Sequence, residues 1–243
     1  MSILHNTKPY ITTTRHAYDV FSGTYDDTYQ SPSELAQNHV IFSLIKQAQC
    51  HQPPILDLGC GTGLFLEIIS LKQKEYVGVD ISGGMLQIAR RKFPHNTFFQ
   101  ADMTNLHFLP SQSFQSIVIL FDGFTHIINP KTVVMEVYRL LKPSGHFFVM
   151  TLSKRFSRTP IIARELNMII PHRLWDANSL RNEFDIFDNV QVKGMHVIPH
   201  WWFNDLPYMF MYLYLLCEIT LISSYLPDWG HYMIITGSKP KFI

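Results

Sequence analysis

The chain has 243 residues, of which 47% are hydrophobic and 14% aromatic, and its net charge is +1. This length suits one α/β domain, and the hydrophobic content is enough for a sizeable core. The balanced charge offers no basic track for a nucleic acid. The three cysteines show no paired spacing, so we expect free thiols and a cytoplasmic protein.

The predicted elements begin with a loose arm over residues 1–14, a helix from about Arg15 and a second helix from Pro32 to Gln49. Strands and helices then alternate. The predicted strands cover 55–58, 76–80, 97–100, 115–121 and 145–152, and the helices between them cover 63–72, 84–92 and 130–142. This alternation is typical of an α/β fold with a Rossmann-like, doubly wound, mostly parallel seven-stranded sheet and helices on both faces.

The remainder of the chain is less regular. A short helix is predicted over 179–184, an edge strand over 189–197 and a final strand over 231–237. Residues 206–226 contain a single charged residue, Glu218, and their length would suit a membrane span. Because Pro207 and Glu218 interrupt the segment and a strand follows it, we predict a helix packed inside the fold or against a second subunit. Peripheral contact with a membrane stays open.

A glycine-rich turn follows the first predicted strand. Residues 55–63 read ILDLGCGTG, and Asp80 ends the next predicted strand. Glycines at 59, 61 and 63 let the chain bend sharply and let a ligand approach its backbone. A carboxylate at the end of the second strand of a βαβ unit is placed to accept hydrogen bonds from both hydroxyls of a ribose. The pattern therefore predicts a cofactor that contains adenosine.

The spacing of this turn distinguishes between two such cofactors. The dinucleotide fingerprint needs a third glycine at position 64, where this chain has Leu64. Asp57, just before the turn, would repel a pyrophosphate but would tolerate the zwitterionic tail and the sulfonium of S-adenosylmethionine. An NAD-dependent oxidoreductase is the alternative enzyme. A non-catalytic sensor or partner protein that binds the cofactor is the alternative from another class.

Residues 57–63, DLGCGTG, resemble the first motif of class I S-adenosylmethionine-dependent methyltransferases. Residues 100–103 (QADM), the strand over 115–121 and residues 140–145 (LLKPSG) resemble later elements of that family. Residues 21–26 (FSGTYD) resemble the leader of the small-molecule group that includes the quinone C-methyltransferases. The resemblance implies methyl transfer to a small acceptor, hydrophobic or aromatic, at an oxygen, nitrogen or carbon atom.

The resemblance also implies which residues bind the cofactor. These are Tyr25, Asp57, Gly59, Gly61, Asp80, Ile81, Asp102, Met103 and Phe121, with Asp57 in support of the glycine turn. Asp102 would accept the exocyclic amine of the adenine, and Met103 would pack on its ring. We expect one domain over residues 1–243. Its parts are the N-terminal arm and helices (1–50), the cofactor-binding core (51–152), and the substrate lid, apolar helix and closing strands (153–243).

His126 and Asp122 follow the fourth strand of the predicted core. Ligands of such sheets bind beyond the carboxyl ends of the strands, so both side chains are catalytic candidates. An imidazole suits a general base near neutral pH, and an acceptor needs a base when it holds its proton tightly. Each residue could instead have a local role, His126 in packing and Asp122 in capping the following turn.

Candidate walls of the substrate pocket are His172, Trp175 and Trp201, although large aromatic side chains could equally belong to the core. No metal site is expected, because the proline between His196 and His200 argues against a helix that presents both. The expected partners are a small-molecule acceptor and S-adenosylmethionine, with no nucleic acid and no membrane span. The expected assembly is a monomer or a homodimer.

Overall fold

The structure is a computed structural model, and it describes residues 8–69, 75–121, 123–155, 172–197 and 207–241. Its strands are β1 (Ile55–Leu58), β2 (Tyr76–Asp80), β3 (Thr97–Gln100), β4 (Phe114–Ile119), β5 (Leu141–Leu152), β6 (Asp188–Met195) and β7 (Tyr232–Ser238). Its α-helices are α1 (Lys8–Phe21), α2 (Pro32–Gln47), α3 (Leu64–Ile68), α4 (Gly83–Lys92), α5 (Pro130–Leu140), α6 (Ala177–Glu183) and α7 (Tyr208–Leu221).

The strands form one sheet in the order β3-β2-β1-β4-β5-β7-β6. Strands β1 to β5 pair in parallel, and β7 runs antiparallel to both of its neighbours. Helices cover both faces, so successive residues of one strand belong to two different apolar clusters, as Ile55 and Leu56 do. The predicted fold class is therefore confirmed, including the predicted edge position of β6.

Several boundaries differ from the predicted ones. Helix α1 begins at Lys8, so the predicted loose arm over 1–14 is wrong from residue 8 onward. Helix α3 ends at Ile68, because Ile69 has extended backbone angles (φ −114°, ψ 104°). Strand β4 ends at Ile119, two residues early, and Phe121 follows in a left-handed conformation (φ 47°). Strand β5 begins directly after α5, at Leu141.

Helix α7 packs on α2 through an inner face that contains Met211, Leu215 and Ile219. This packing confirms the predicted helix, although the helix covers only 14 residues of the apolar segment. In the described part of the chain, no helix is both long enough and apolar enough to cross a membrane. The opposite face of α7 stays exposed, with Phe210 and Leu213 outward.

Candidate cofactor site

A cleft opens where the parallel strands β1 to β4 end. Ligands of doubly wound sheets bind at this edge. The described residues that line it are Thr14, Tyr18, Tyr25, Gly59, Gly61, Val79, Asp80, Ile81, Met85, Ala101, Asp102, Met103, Phe121, Gly123, His126 and Ile127. The structure therefore brings the predicted cofactor-binding residues around one space, with the exception of Asp57.

The turn after β1 is held against β2 by backbone hydrogen bonds. The Gly59 N–H donates to the Val79 carbonyl at 2.7 Å, and the Gly61 N–H donates to Asp80 Oδ2 at 2.8 Å. Gly61 has a φ of +54°, a left-handed conformation that glycine adopts without strain. An added Cβ there would lie 3.9 Å from Tyr25 Cε1. Position 61 is therefore where the backbone itself forms the wall of the cleft.

The carboxylate of Asp80 is fixed by the backbone on both sides. Its Oδ1 accepts the Ser82 N–H at 2.8 Å, and its Oδ2 accepts the Gly61 N–H. Burial raises the pKa of this carboxyl, although the backbone N–H groups oppose the shift. The two N–H groups set the orientation of Asp80 before any ligand arrives.

Asp57 lies behind the glycine turn and does not line the cleft. It is 2% exposed, and its Oδ2 accepts the Tyr76 hydroxyl at 2.7 Å. Burial raises the pKa of Asp57 to about 7; the Tyr76 hydroxyl opposes this shift and the nearby Asp80 adds to it. Asp57 is therefore not a residue that touches a ligand in the cleft, because β1 turns the side chain toward β2. Its position suits support of the turn.

Because the Asp57 carboxyl is buried, we predict that its ionisation lowers the stability of the fold as the pH rises. Because its folded pKa (about 7) exceeds its ordinary value of 3.8, Asp57 stabilises the fold most below pH 4 and loses that contribution as the pH rises through 7. The neutral isostere Asp57→Asn should raise the melting temperature at pH 8 by several degrees and raise it clearly less at pH 5, where only part of the cost is present. Thermal melts of both proteins without cofactor test this, and an equal difference at both values would contradict it.

The residues after β3 form the opposite wall. Asp102 Oδ1 accepts the Thr104 N–H at 2.8 Å, which fixes the carboxylate at the start of a turn. Met103 approaches the glycine turn, since its Cε lies 3.5 Å from the position of a Cβ at Gly59. Ile81 and Met103 thus present apolar surface on two sides of the cleft, next to a carboxylate.

The N-terminal segment forms a further wall of the cleft, of which the sequence predicted only Tyr25. Asp19 Oδ1 accepts the Ser82 hydroxyl at 2.6 Å and the Gly84 N–H at 2.9 Å, at the start of α4. Farther along, Asp26 accepts the Thr62 hydroxyl at 2.5 Å and pairs with Lys92 at 2.9 Å. These contacts hold α1 and the following turns over the strand ends.

Two side chains of α1 thereby reach the cleft, Thr14 and Tyr18. The Tyr18 hydroxyl lies 2.9 Å from His126 Nε2, and the two rings meet edge to face. His126 is 7% exposed and follows β4 in a short 3-10 helix, Gly123–His126. Tyr18 and His126 both line the cleft, and the catalytic role of His126 stays a prediction.

The candidate substrate residues are not gathered at the cleft. Trp175 is 3% exposed and stacks on Phe124 with ring centroids 5.7 Å apart, so its prediction as a pocket wall is wrong. The reason is that Trp175 bridges to Ser153 at the end of β5 and faces the core. His172 is exposed and does not line the cleft. Asp122 and Trp201 lie outside the described residues.

Comparison with known proteins supports a single class. Residues 55–145 match the family described as a methyltransferase domain. Demethylmenaquinone methyltransferase of Symbiobacterium thermophilum is 35% identical over 162 residues, which are 59% of this chain and 61% of that protein. The ubiquinone/menaquinone biosynthesis C-methyltransferase UbiE of Campylobacter jejuni is 34% identical over 108 residues, 42% of this chain and 45% of that protein. The chain thus spans about half the length of the curated relatives it matches.

Solved structures agree on the fold. An S-adenosylmethionine-dependent methyltransferase from Thermotoga maritima has a TM-score of 0.59 at 20% identity, covering 93% of this chain and 99% of that chain. One from Archaeoglobus fulgidus has a TM-score of 0.58 at 15% identity, covering 83% and 94%. The chain therefore has the fold of these methyltransferases, and its residues 55–145 match the methyltransferase domain family. Among methyltransferases, it is similar to the quinone C-methyltransferase group.

Proposed function

We propose that this protein transfers a methyl group from S-adenosylmethionine to a small, apolar or aromatic acceptor. The observation that carries the proposal is the cleft, where the ends of four strands and the N-terminal segment face one space. The methyltransferase domain over residues 55–145 supports the same activity.

The free acceptor positions of Asp80 and Asp102 suit an adenosine. A carboxylate offers about four positions for hydrogen bonds, and Asp80 uses one on each oxygen for a backbone N–H. One position on each oxygen remains for the two ribose hydroxyls. Asp102 Oδ2 would then accept the exocyclic amine of an adenine that packs between Ile81 and Met103.

The charge of the cleft favours a sulfonium over a pyrophosphate. Among the described residues that line it, Asp80 and Asp102 carry charge, and none is a lysine or an arginine. A pyrophosphate would therefore meet two carboxylates without a compensating cation. The rings of Tyr25 and Phe121 add faces that attract a cation. These features support S-adenosylmethionine and count against the NAD alternative.

S-adenosylmethionine supplies a methyl group that the sulfonium has already activated, and the transfer leaves a neutral thioether. The protein's task is then to align the acceptor and to exclude water. The segment that Asp19 and Asp26 hold over the strand ends would serve that exclusion. Tyr18, Tyr25 and Ile127 would surround the acceptor on the side away from the ribose.

His126 and Tyr18 are the groups placed to take a proton from a phenol or carbon acid. A positioned base contributes about 10²–10⁴ in rate. We expect His126→Ala to lower kcat by about a hundredfold or more, and Tyr18→Phe to lower it less, with little change in the Kd of S-adenosylhomocysteine. Calorimetry and turnover measured on the same preparations separate the two effects. An unchanged kcat in both variants would remove the pair from the mechanism.

The acceptor class is tested by a screen with S-adenosylmethionine labelled in its methyl group. Neutral hydroxylated aromatic compounds, basic peptides and RNA are offered at equal concentration. We expect turnover with the aromatic compounds, because the lining offers apolar surface and no cation for an anionic polymer. Turnover that is confined to peptides or RNA would overturn the proposed acceptor class but would leave the methyltransferase activity standing.

A further inference from the structure

The outward surface of α7 carries no charged side chain and is apolar except for Thr220, and the turn after it adds apolar side chains together with the exposed Ser224 and Asp228. We refer to the exposed apolar side chains of this surface as the outer face of α7. They are Met209, Phe210, Leu213, Cys217 and Leu221 on the helix and Tyr225, Leu226 and Trp229 beyond it. Phe210 is 61% exposed, Leu221 69% and Tyr225 83%. Helices on a protein surface usually present polar and charged side chains to water.

The single charged side chain of α7 points away from this face. Glu218 is 2% exposed, and its carboxylate accepts the Val197 N–H at 2.9 Å and the Tyr214 hydroxyl at 2.5 Å. Those contacts lie on the side where the helix meets the rest of the fold. The charge at position 218 is therefore internal, and no charged side chain interrupts the outer face along α7 itself.

The far end of the outer face lies at the edge of the sheet where the cleft opens. Trp229 precedes β7, and the Arg155 guanidinium carbon lies 3.6 Å from the centre of its ring, just beyond the end of β5. At the other end, the Tyr208 hydroxyl and Nδ1 of His39 in α2 form a hydrogen bond of 2.6 Å. Tyrosine and tryptophan are enriched where a protein meets the headgroups of a membrane, and a cation beside them complements lipid phosphate.

The size of the face distinguishes between two occupants. A helix of 14 residues is about 21 Å long and about 10 Å wide, so its face has a footprint of roughly 200 Å², to which the three side chains beyond the helix add a smaller area. A stable dimer buries about 800 Å² on each partner. An apolar helix face that lies flat in a headgroup layer has no such minimum, because apolar burial adds to electrostatic attraction. The outer face is thus small for a second copy and sufficient for a bilayer.

We propose that the outer face of α7 docks on the surface of a phospholipid bilayer, with Tyr225, Trp229 and Arg155 at the headgroups. The helix lies on the membrane and does not cross it. This docking goes beyond the proposed methyl transfer and does not depend on it.

The test uses the full chain and two kinds of vesicle, phosphatidylcholine alone and equal parts of phosphatidylcholine and phosphatidylglycerol. Flotation measures the bound fraction. Phe210→Asp and Leu213→Asp should each weaken binding by about tenfold or more, since each places a charge where an apolar side chain enters the lipid. The matched control is Met135→Asp on α5, because Met135 is also apolar and 49% exposed but lies on the other side of the sheet.

A second readout reports on the face itself. Cys217 is exposed, whereas Cys50 and Cys60 are buried, so a thiol-reactive environment-sensitive dye labels α7 selectively. We expect its emission to shift to the blue with either vesicle. Arg155→Ala should weaken binding only to the vesicles that contain phosphatidylglycerol. Affinity for S-adenosylhomocysteine is measured in every variant, which keeps a failure of the proposed function separate from a failure of docking.

Three results would overturn the docking. The first is a wild-type protein that binds neither kind of vesicle. The second is a Met135→Asp variant that loses as much binding as Phe210→Asp. The third is a wild-type dimer by light scattering that Phe210→Asp converts to a monomer, without dye response to vesicles, and it would assign the outer face to a second copy of the chain.

Discussion

Replacing Asp80 by alanine should weaken the binding of S-adenosylhomocysteine by about a hundredfold or more. Hydrogen bonds to a charged group contribute about 1.5–3 kcal/mol each, and two would be lost with the ribose hydroxyls. The structure adds a second cost, because Asp80 also accepts the N–H groups of Gly61 and Ser82 at 2.8 Å. Without the carboxylate, the glycine turn loses one of its links to β2 and keeps the hydrogen bonds to the Val79 carbonyl. Calorimetric titration measures the change.

Asp80→Asn is the matched variant. Its amide oxygen can still accept one backbone N–H, but the side chain has no charge and fewer acceptor positions. We expect its affinity to lie between those of the wild type and Asp80→Ala. If Asp80→Ala is folded by circular dichroism and binds as tightly as the wild type, the ribose does not sit at the end of β2.

Gly61→Val should abolish measurable binding and leave the sheet folded. Its φ of +54° is unfavourable for a β-branched residue, so the turn would shift. In addition, the new Cβ would point into the gap before Tyr25, 3.9 Å from that ring. Both effects act on the wall of the cleft, while β1 and β2 keep their pairing from Ile55 to Leu58. Titration of the variant with S-adenosylhomocysteine measures the loss.

The control for this substitution is Gly23→Ala in the N-terminal segment. Nothing lies within 4 Å of a Cβ at Gly23, so this change should leave binding within about twofold of the wild type. A folded Gly61→Val variant with normal affinity would show that the turn does not touch the ligand.

The strands of the core could be predicted closely because each is a short apolar run between turn residues. Strands β1, β2 and β3 have the predicted bounds. Helix α1 could not be bounded in the same way. Its start contains weak helix formers, and the contacts that hold it are distant in sequence, such as Asp19 with Ser82 and Gly84. Helix propensity depends on the local sequence and does not reveal such contacts.

The residues of the site differ in the same way, because some have a local sequence signature and others depend on contacts that are distant in sequence. Glycines and acids at the ends of strands have a local signature, and the structure places Gly59, Gly61 and Asp80 around the cleft. Tyr18 meets His126 across 108 positions of sequence, and no spacing rule predicts that pair. Trp175 shows the opposite failure. A large aromatic residue signals burial, but the sequence does not say whether it is buried in a core or against a ligand.

The central claim is that this cleft binds the methyl donor. The most direct measurement is calorimetric titration of the unmodified protein with S-adenosylhomocysteine and, separately, with NAD. We predict one site with a micromolar Kd for S-adenosylhomocysteine and no measurable heat of binding with NAD at the same concentrations. Preference for NAD, or no binding of S-adenosylhomocysteine by the folded protein, would contradict the account.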